Sequence, residues 1–261
     1  MSETITGGYR GRDRGPPRNI FERIPVAQRL GRTNPFDLAT WLLLIALIAI
    51  ALWTYHDYAV SNDEGLQHHY GELILQYYRS GLTDHAVFNF RDLYLYGGLF
   101  DIIAVRLAEL FPSFDLYDIR HILCALIGIG GIAASAATAR TIAGPRAGFI
   151  AAVALAVCGC WYGGMFNHTK DIPLASAMMG ASYLLIRVIR QLPSPRFGLV
   201  MLFGLLAGCA LGMRVLALLL VFYAAFAILL AAPDPRGGNL RTSCAFAFKS
   251  ALRLVAAFAL A

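Results

Sequence analysis

Apolar residues run along this chain in long blocks, not in the short clusters of a water-soluble domain. A helix needs roughly 17–25 mostly apolar residues to cross a bilayer. Seven stretches match that length: Phe36–Tyr55, His121–Ala139, Ala147–Phe166, Ile172–Ile189, Phe197–Met213, Val215–Ala232 and Ala245–Ala261. The third, fifth and sixth contain no Asp, Glu, Lys or Arg. Trp41, Trp53, Tyr55, Tyr58, Trp161 and Tyr162 lie near span ends, where amphipathic rings settle at headgroup level. The pattern predicts an all-α protein, a polytopic transmembrane helix bundle of about seven spans.

Between the first two spans the pattern changes. In Gly65–Gly81, Leu66, Tyr70, Leu73, Ile74, Tyr77 and Tyr78 recur at helical spacing on one face. In Gly98–Phe111, apolar residues surround Asp101, Arg106 and Glu109. Both segments are too short and too charged to span, and read as amphipathic helices lying on the membrane surface. Phe111-Pro112-Ser113 breaks the second before the chain re-enters near His121.

Composition agrees. The chain has 261 residues, 58% hydrophobic and 15% charged, with a net charge of +6, against about 25% charged in typical soluble domains. A basic excess can mean nucleic acid, but here its placement argues for a membrane and against nucleic acid as a partner. Of 22 basic residues, 16 fall in segments that are cytoplasmic if the N-terminus is inside, as the positive-inside rule requires. Residues 1–35 form an Arg-rich cytoplasmic tail, expected to be disordered and too long to be a cleavable signal peptide. Residues 36–261 form the membrane domain.

The loop 56–120 has the opposite character. It carries ten carboxylates against four Arg, a net of −6. All six His lie there or at that membrane edge. A titratable surface gathered on one face is where chemistry is sought. The five Cys all lie in or beside spans; they read as small hydrophobes, with no disulfide framework and no metal site.

Three motifs on that side carry candidate chemistry. Ser61-Asn62-Asp63-Glu64-Gly65 opens the first surface helix. Its side chains suit an N-cap, and equally a carboxylate base at the interface. Asn167-His168-Thr169-Lys170-Asp171-Ile172-Pro173 joins the third and fourth spans. Asp171 can cap the next helix and Pro173 suits its first turn, while Lys170 is a natural phosphate partner. Arg214 lies between two uncharged spans that abut without a loop, so it marks a hairpin tip. It either snorkels to the surface or serves a site. Gly204, Gly208 and Gly212 give the fifth span a close-packing stripe.

In order, one span, the acidic pair Asp63-Glu64, two interfacial helices and Lys170-Asp171-Ile172-Pro173 after the third span resemble the GT-C class of membrane glycosyltransferases. The nearest branch is the protein O-mannosyltransferase and lipid A aminoarabinose transferase group, with its bacterial family-39-like members. The resemblance runs from about Phe36 to Ala232. It implies a sugar donor on undecaprenyl or dolichyl phosphate, and transfer with inversion to a glycan, lipid or protein acceptor at the extracytoplasmic face. The implied setting is a bacterial inner membrane. Asp63 would be the general base, Glu64 its orienting partner. Asp171 would position the acceptor or, in some members, a divalent metal. Lys170, Arg214 and Arg79 would face the donor phosphate, and Tyr94, Tyr96 and His168 the sugar or acceptor.

Relatives usually have eight or more spans, so a chain ending at Ala261 within a seventh reads as an N-terminal part. Tyr94-Leu95-Tyr96-Gly97-Gly98 lacks the His/Pro-rich form of several relatives. A transporter or flippase-like carrier and a non-catalytic remnant are the competing readings. Carriers usually bury ionisable groups within spans or show internal repeats, and neither stands out here.

Overall fold

A computed structural model describes residues 34–192, 194–231 and 240–260; the Arg-rich tail lies almost wholly outside them. All regular structure among the described residues is helical. The chain runs through α1 (Pro35–Thr54), α2 (Glu64–Arg79), α3 (Leu99–Leu110), α4 (Leu116–Ala143), α5 (Pro145–Ala156), α6 (Gly159–Asn167), α7 (Asp171–Ile189), α8 (Phe197–Leu211), α9 (Leu219–Ala231) and α10 (Leu240–Leu260).

Helix ends follow local chemistry. Asn34 caps α1 by accepting the Phe36 N–H at 3.0 Å, with Pro35 in the first turn. Asp115 caps α4 by accepting from Tyr117 and Asp118. Gly144, at φ 91°, turns the chain out of α4 and straight into α5, a conformation that suits glycine.

By length and composition, three helices can cross a membrane: α1 with the turn that follows it, α4 and α7. The α5–α6 pair makes a fourth if taken as one span. The third apolar stretch is therefore not one straight helix: α5 and α6 meet at a 63° bend. Cys158 is extended there (φ −73°, ψ 109°), and Gly159, Gly163 and Gly164 follow, where glycine weakens helix continuation. At 15 and 13 residues, α8 and α9 are shorter than the ~17 residues a full crossing takes. Lys249 lies within α10, and the side chain of Ser250 beside it is fully buried.

The two amphipathic segments appear as α2 and α3, each within two residues of the expected bounds. They pack on each other, and α3 packs on α4. Helix α4 begins five residues earlier than the hydrophobic pattern suggests. Its first turns carry Asp118, Arg120 and His121, and the last two are buried.

Helix α4 forms the centre, packed by α1, α5, α6 and α7, with α8 beyond α7. Cys124, Ala125, Ile132, Met165, Phe166 and Phe203 are fully enclosed in this core. One end of the bundle is tied by Arg140 to Asp37 at 2.6 Å and by Arg190 to the Thr141 carbonyl at 3.1 Å. The opposite end carries α2 and α3, the start of α7 and the end of α8. All the candidate motifs lie at that end.

Candidate active site

Lys170 and Asp171 stand where α7 begins, and Arg214 where α8 has just ended. Antiparallel packing of α7 and α8 brings these termini together. Arg214 Nη2 lies 3.1 Å from Asp171 Oδ1. The Asp171 side chain is 61% exposed and that of Arg214 32%, so the pair adds about 0–1 kcal/mol to stability and stays open to a ligand. Asp171 does not cap α7; its carboxylate faces Arg214 instead.

Tyr96 completes the cluster. Lys170 Nζ lies 5.4 Å and the Arg214 guanidinium carbon 5.9 Å from its ring centroid, both within cation–π range. Two cations against one carboxylate leave a local charge of about +1, a setting that favours an anion. The Arg214 Nε is buried and has no hydrogen-bond partner among the described residues.

The backbone holds Tyr96 in place. Its carbonyl accepts from the Tyr70 hydroxyl at 3.0 Å. Leu99 N–H donates to the Gly212 carbonyl at 3.1 Å. A Cβ on Gly97 would collide with that same carbonyl, so glycine permits the loop to lie directly on the end of α8.

Beneath the cluster lies a buried polar network that sequence reasoning missed. Arg120 is fully enclosed. Its Nη2 donates to Asp101 at 2.8 Å, Thr169 at 3.2 Å and Gln67 at 3.3 Å. Thr169 also donates to Gln67 through a short hydrogen bond. Phe100 lies against the guanidinium at 5.4 Å. These contacts tie α2, α3 and α4 to Thr169, the residue before Lys170. Burial pushes the Asp101 carboxyl up from its ordinary range, and Arg120 only partly offsets this.

Glu64 belongs to the same layer. Its side chain is fully buried and accepts the Ser61 N–H at 2.6 Å. It faces His121 Nε2 at 3.1 Å. His121 Nδ1 lies 3.2 Å from the Tyr55 carbonyl. The turn before α2 is therefore closed by Glu64 reaching back, not by Ser61, Asn62 or Asp63 capping forward. Asp63 stands exposed at the head of α2, and its side chain makes no capping bond.

The other expected site residues make none of these contacts. His168 is exposed at the end of α6, two residues before Lys170. Arg79 is at the far end of α2, about 22 Å from Glu64 along the axis at ~1.5 Å per residue. Both its terminal nitrogens bind Glu109, at 2.8 and 2.7 Å, and Arg106 shares that carboxylate. Arg79 also lines an open groove of about 830 Å³ with His68, His69 and Glu72. Tyr94 lies in an aromatic group with Phe88 and Tyr77. Among the described residues, no three His, Cys, Asp or Glu are grouped to hold a metal ion. Cys158 and Cys160 are exposed free thiols at the α5–α6 bend.

The signal for Arg120 and His121 was present but faint. Leu116, Ile119 and Leu123 extend the apolar face of α4 toward its N-terminus, so the charged residues between them belong to the helix. No comparable signal marks Gln67 or Thr169.

Comparison with known proteins places the chain in a family. No curated protein and no solved structure matches the chain. Residues 107–260, more than half of the chain, match the family described as dolichyl-phosphate-mannose-protein mannosyltransferase. The match begins within α3 and takes in Arg120, Thr169, Lys170, Asp171 and Arg214. An all-helical chain with several membrane-length helices and this match belongs to the dolichyl-phosphate-mannose-protein mannosyltransferase family, membrane glycosyltransferases of the GT-C type.

Proposed function

We propose that the chain carries the catalytic end of an inverting glycosyltransferase that uses a polyprenyl-phosphate sugar. The observation that carries this reading is the convergence of Lys170 and Arg214 on Tyr96, with Asp171 paired to Arg214, at one end of the bundle. That end is read as extracytoplasmic, because its loop 56–120 is net negative while the connections at the other end are basic, with Arg140, Arg146, Arg187, Arg190 and Arg196.

The chemistry follows from charge. The donor phosphate binds Lys170 and Arg214, with the unpartnered Arg214 Nε as a further donor. The Asp63 carboxylate takes the proton of an acceptor hydroxyl or amine. The acceptor atom attacks the anomeric carbon from the face opposite the phosphate, and the carbon–oxygen bond to phosphate breaks with inversion. Polyprenyl phosphate departs with the bonding electron pair. The two cations stabilise the charge that develops on it. Asp171 holds Arg214 in register. Glu64, being buried, acts on the Ser61–Asp63 turn and on His121 rather than on the acceptor.

The test is transfer of labelled sugar from a polyprenyl-phosphate donor in membranes containing the full chain. Asp63→Asn is expected to lower the rate at least 100-fold, the lower range for removing a general base, with donor binding intact. Transfer at the wild-type rate would remove Asp63 from that role.

A further inference from the structure

A second concavity abuts the cationic cluster without sharing its chemistry. It lies between α2 and the turns at 86–95 and has a volume of about 330 Å³. Its walls combine the rings of Tyr70, Tyr77, Tyr78, Phe88 and Tyr94 with four aliphatic side chains from α2, α3 and the turn at 87. Gly98 and Gly212 form part of the lining, and no lining residue is charged.

Three features define what fits. First, the rings offer surface. Phe88 meets Tyr77 edge-on at 5.2 Å and Tyr94 at 6.3 Å. Phe88 and Tyr94 remain 44% exposed and Tyr78 62%. Second, the hydroxyls of Tyr77, Tyr78 and Tyr94 make no hydrogen bond among the described residues, while the Tyr70 hydroxyl is spent on Tyr96. Third, the volume stands at the small end of ligand pockets, roughly 300–1,000 Å³. An apolar face with a rim of hydroxyl partners and no charge suits a neutral pyranose ring. Such a ring presents C–H bonds on its faces and hydroxyls around its edge. A phosphate has no cationic partner in the cleft, and an isoprenoid chain has no use for the phenols.

Position adds the connection. Gly212 lines the cleft two residues before Arg214, and Tyr70 lines it while holding the Tyr96 carbonyl. A sugar in the cleft therefore sits beside the cations, not on them. We propose that the aromatic cleft is a subsite for a neutral pyranose ring of a glycan acceptor. This rests on the reading of Lys170 and Arg214 as the donor-phosphate site and names the acceptor class for it.

The experiment is saturation-transfer NMR on the full chain in detergent. The probes are methyl glycosides of glucose, galactose, mannose and N-acetylglucosamine, with undecaprenyl phosphate present. At least one glycoside is expected to receive saturation on its ring C–H protons. The signal should fall at least fivefold in Tyr78→Ala/Tyr94→Ala and persist in Tyr94→Phe, which keeps the ring. Unchanged circular dichroism of the double variant separates lost binding from lost fold. Arg214→Gln should leave the glycoside signal unchanged, so a failed donor site does not silence this readout. No saturation of any glycoside, or equal signal in wild type and the double variant, would overturn the proposal. So would loss of undecaprenyl-phosphate binding in the double variant, which would make the cleft a tail groove. Displacement of the glycoside by a polyprenyl-phosphate sugar would instead assign the cleft to the donor's ring.

Discussion

Arg120 links α2, α3 and Thr169 at this end of the bundle. Its charge is fully enclosed, and its nearest counter-charge is Asp101 at 2.8 Å. Breaking a buried pair by removing one partner costs about 3–5 kcal/mol, whereas replacing both by apolar groups is often close to neutral. Arg120→Met should therefore destabilise the protein strongly, and Arg120→Met/Asp101→Leu should recover most of the loss in thermal unfolding. The double variant should still transfer sugar poorly, because Thr169 has lost its anchor to Arg120 beside Lys170. Full activity in the recovered variant would show that the network serves packing alone. His68 gives a pH signature at the same scale. Burial lowers its pKa, outweighing the raising effect of Glu72, and Arg120 and His69 lower it further. The unfolded chain therefore takes up the proton more readily than the folded one. Stability is complete above the unfolded value of about 6.5 and is lost as pH falls toward the folded value. Unfolding measured between pH 7.5 and 5 should show this slope, and His68→Gln should flatten it.

The loop 81–98 and the end of α8 meet backbone to backbone at Gly97 and Gly212. A Cβ on Gly97 has no room, whereas one on Gly212 would meet Leu99 and the Gly208 carbonyl at 3.3 Å. Gly97→Ala should cost about 1–3 kcal/mol, as overpacking does, and Gly212→Ala less. Because Gly97 adjoins Tyr96, the first variant should also weaken donor binding; equal thermal stability of the two would contradict this contact. The same elements show what was legible in the sequence. Period-3.6 apolar faces placed α2 and α3 closely, because each buries one stripe. The α5–α6 bend was hidden, because apolar composition runs unbroken through Val157 and Cys158 while the backbone does not. The early start of α4 was hidden for the opposite reason: charge around Arg120 reads as loop until its partners are known. Those partners lie 19, 49 and 53 residues away, and one sequence does not display such pairings. Lys170, Asp171 and Arg214 were legible as candidates because each is a charge beside a clean apolar run. The meeting of Lys170 and Arg214 on Tyr96 was not.

At the scale of the molecule, charge and packing tell one story. Helix direction alternates, so the ends of α1 and α8 and the start of α7 share one end of the bundle with α2 and α3. Arg140, Arg190 and Arg196 lie at the other, where carboxylates are few, whereas the loop 56–120 is net negative. The family match covers the helices that supply Lys170, Asp171 and Arg214. Tyr96 lies before residue 107 and joins Lys170 and Arg214 through packing. The central claim is that the cationic tip binds a polyprenyl phosphate. It is tested most directly by titrating the detergent-solubilised full chain with undecaprenyl phosphate and observing the ³¹P resonance. The account predicts saturable binding that falls at least tenfold in Lys170→Gln/Arg214→Gln and is unchanged in Arg79→Gln. Equal binding by wild type and the Lys170/Arg214 double variant would contradict it.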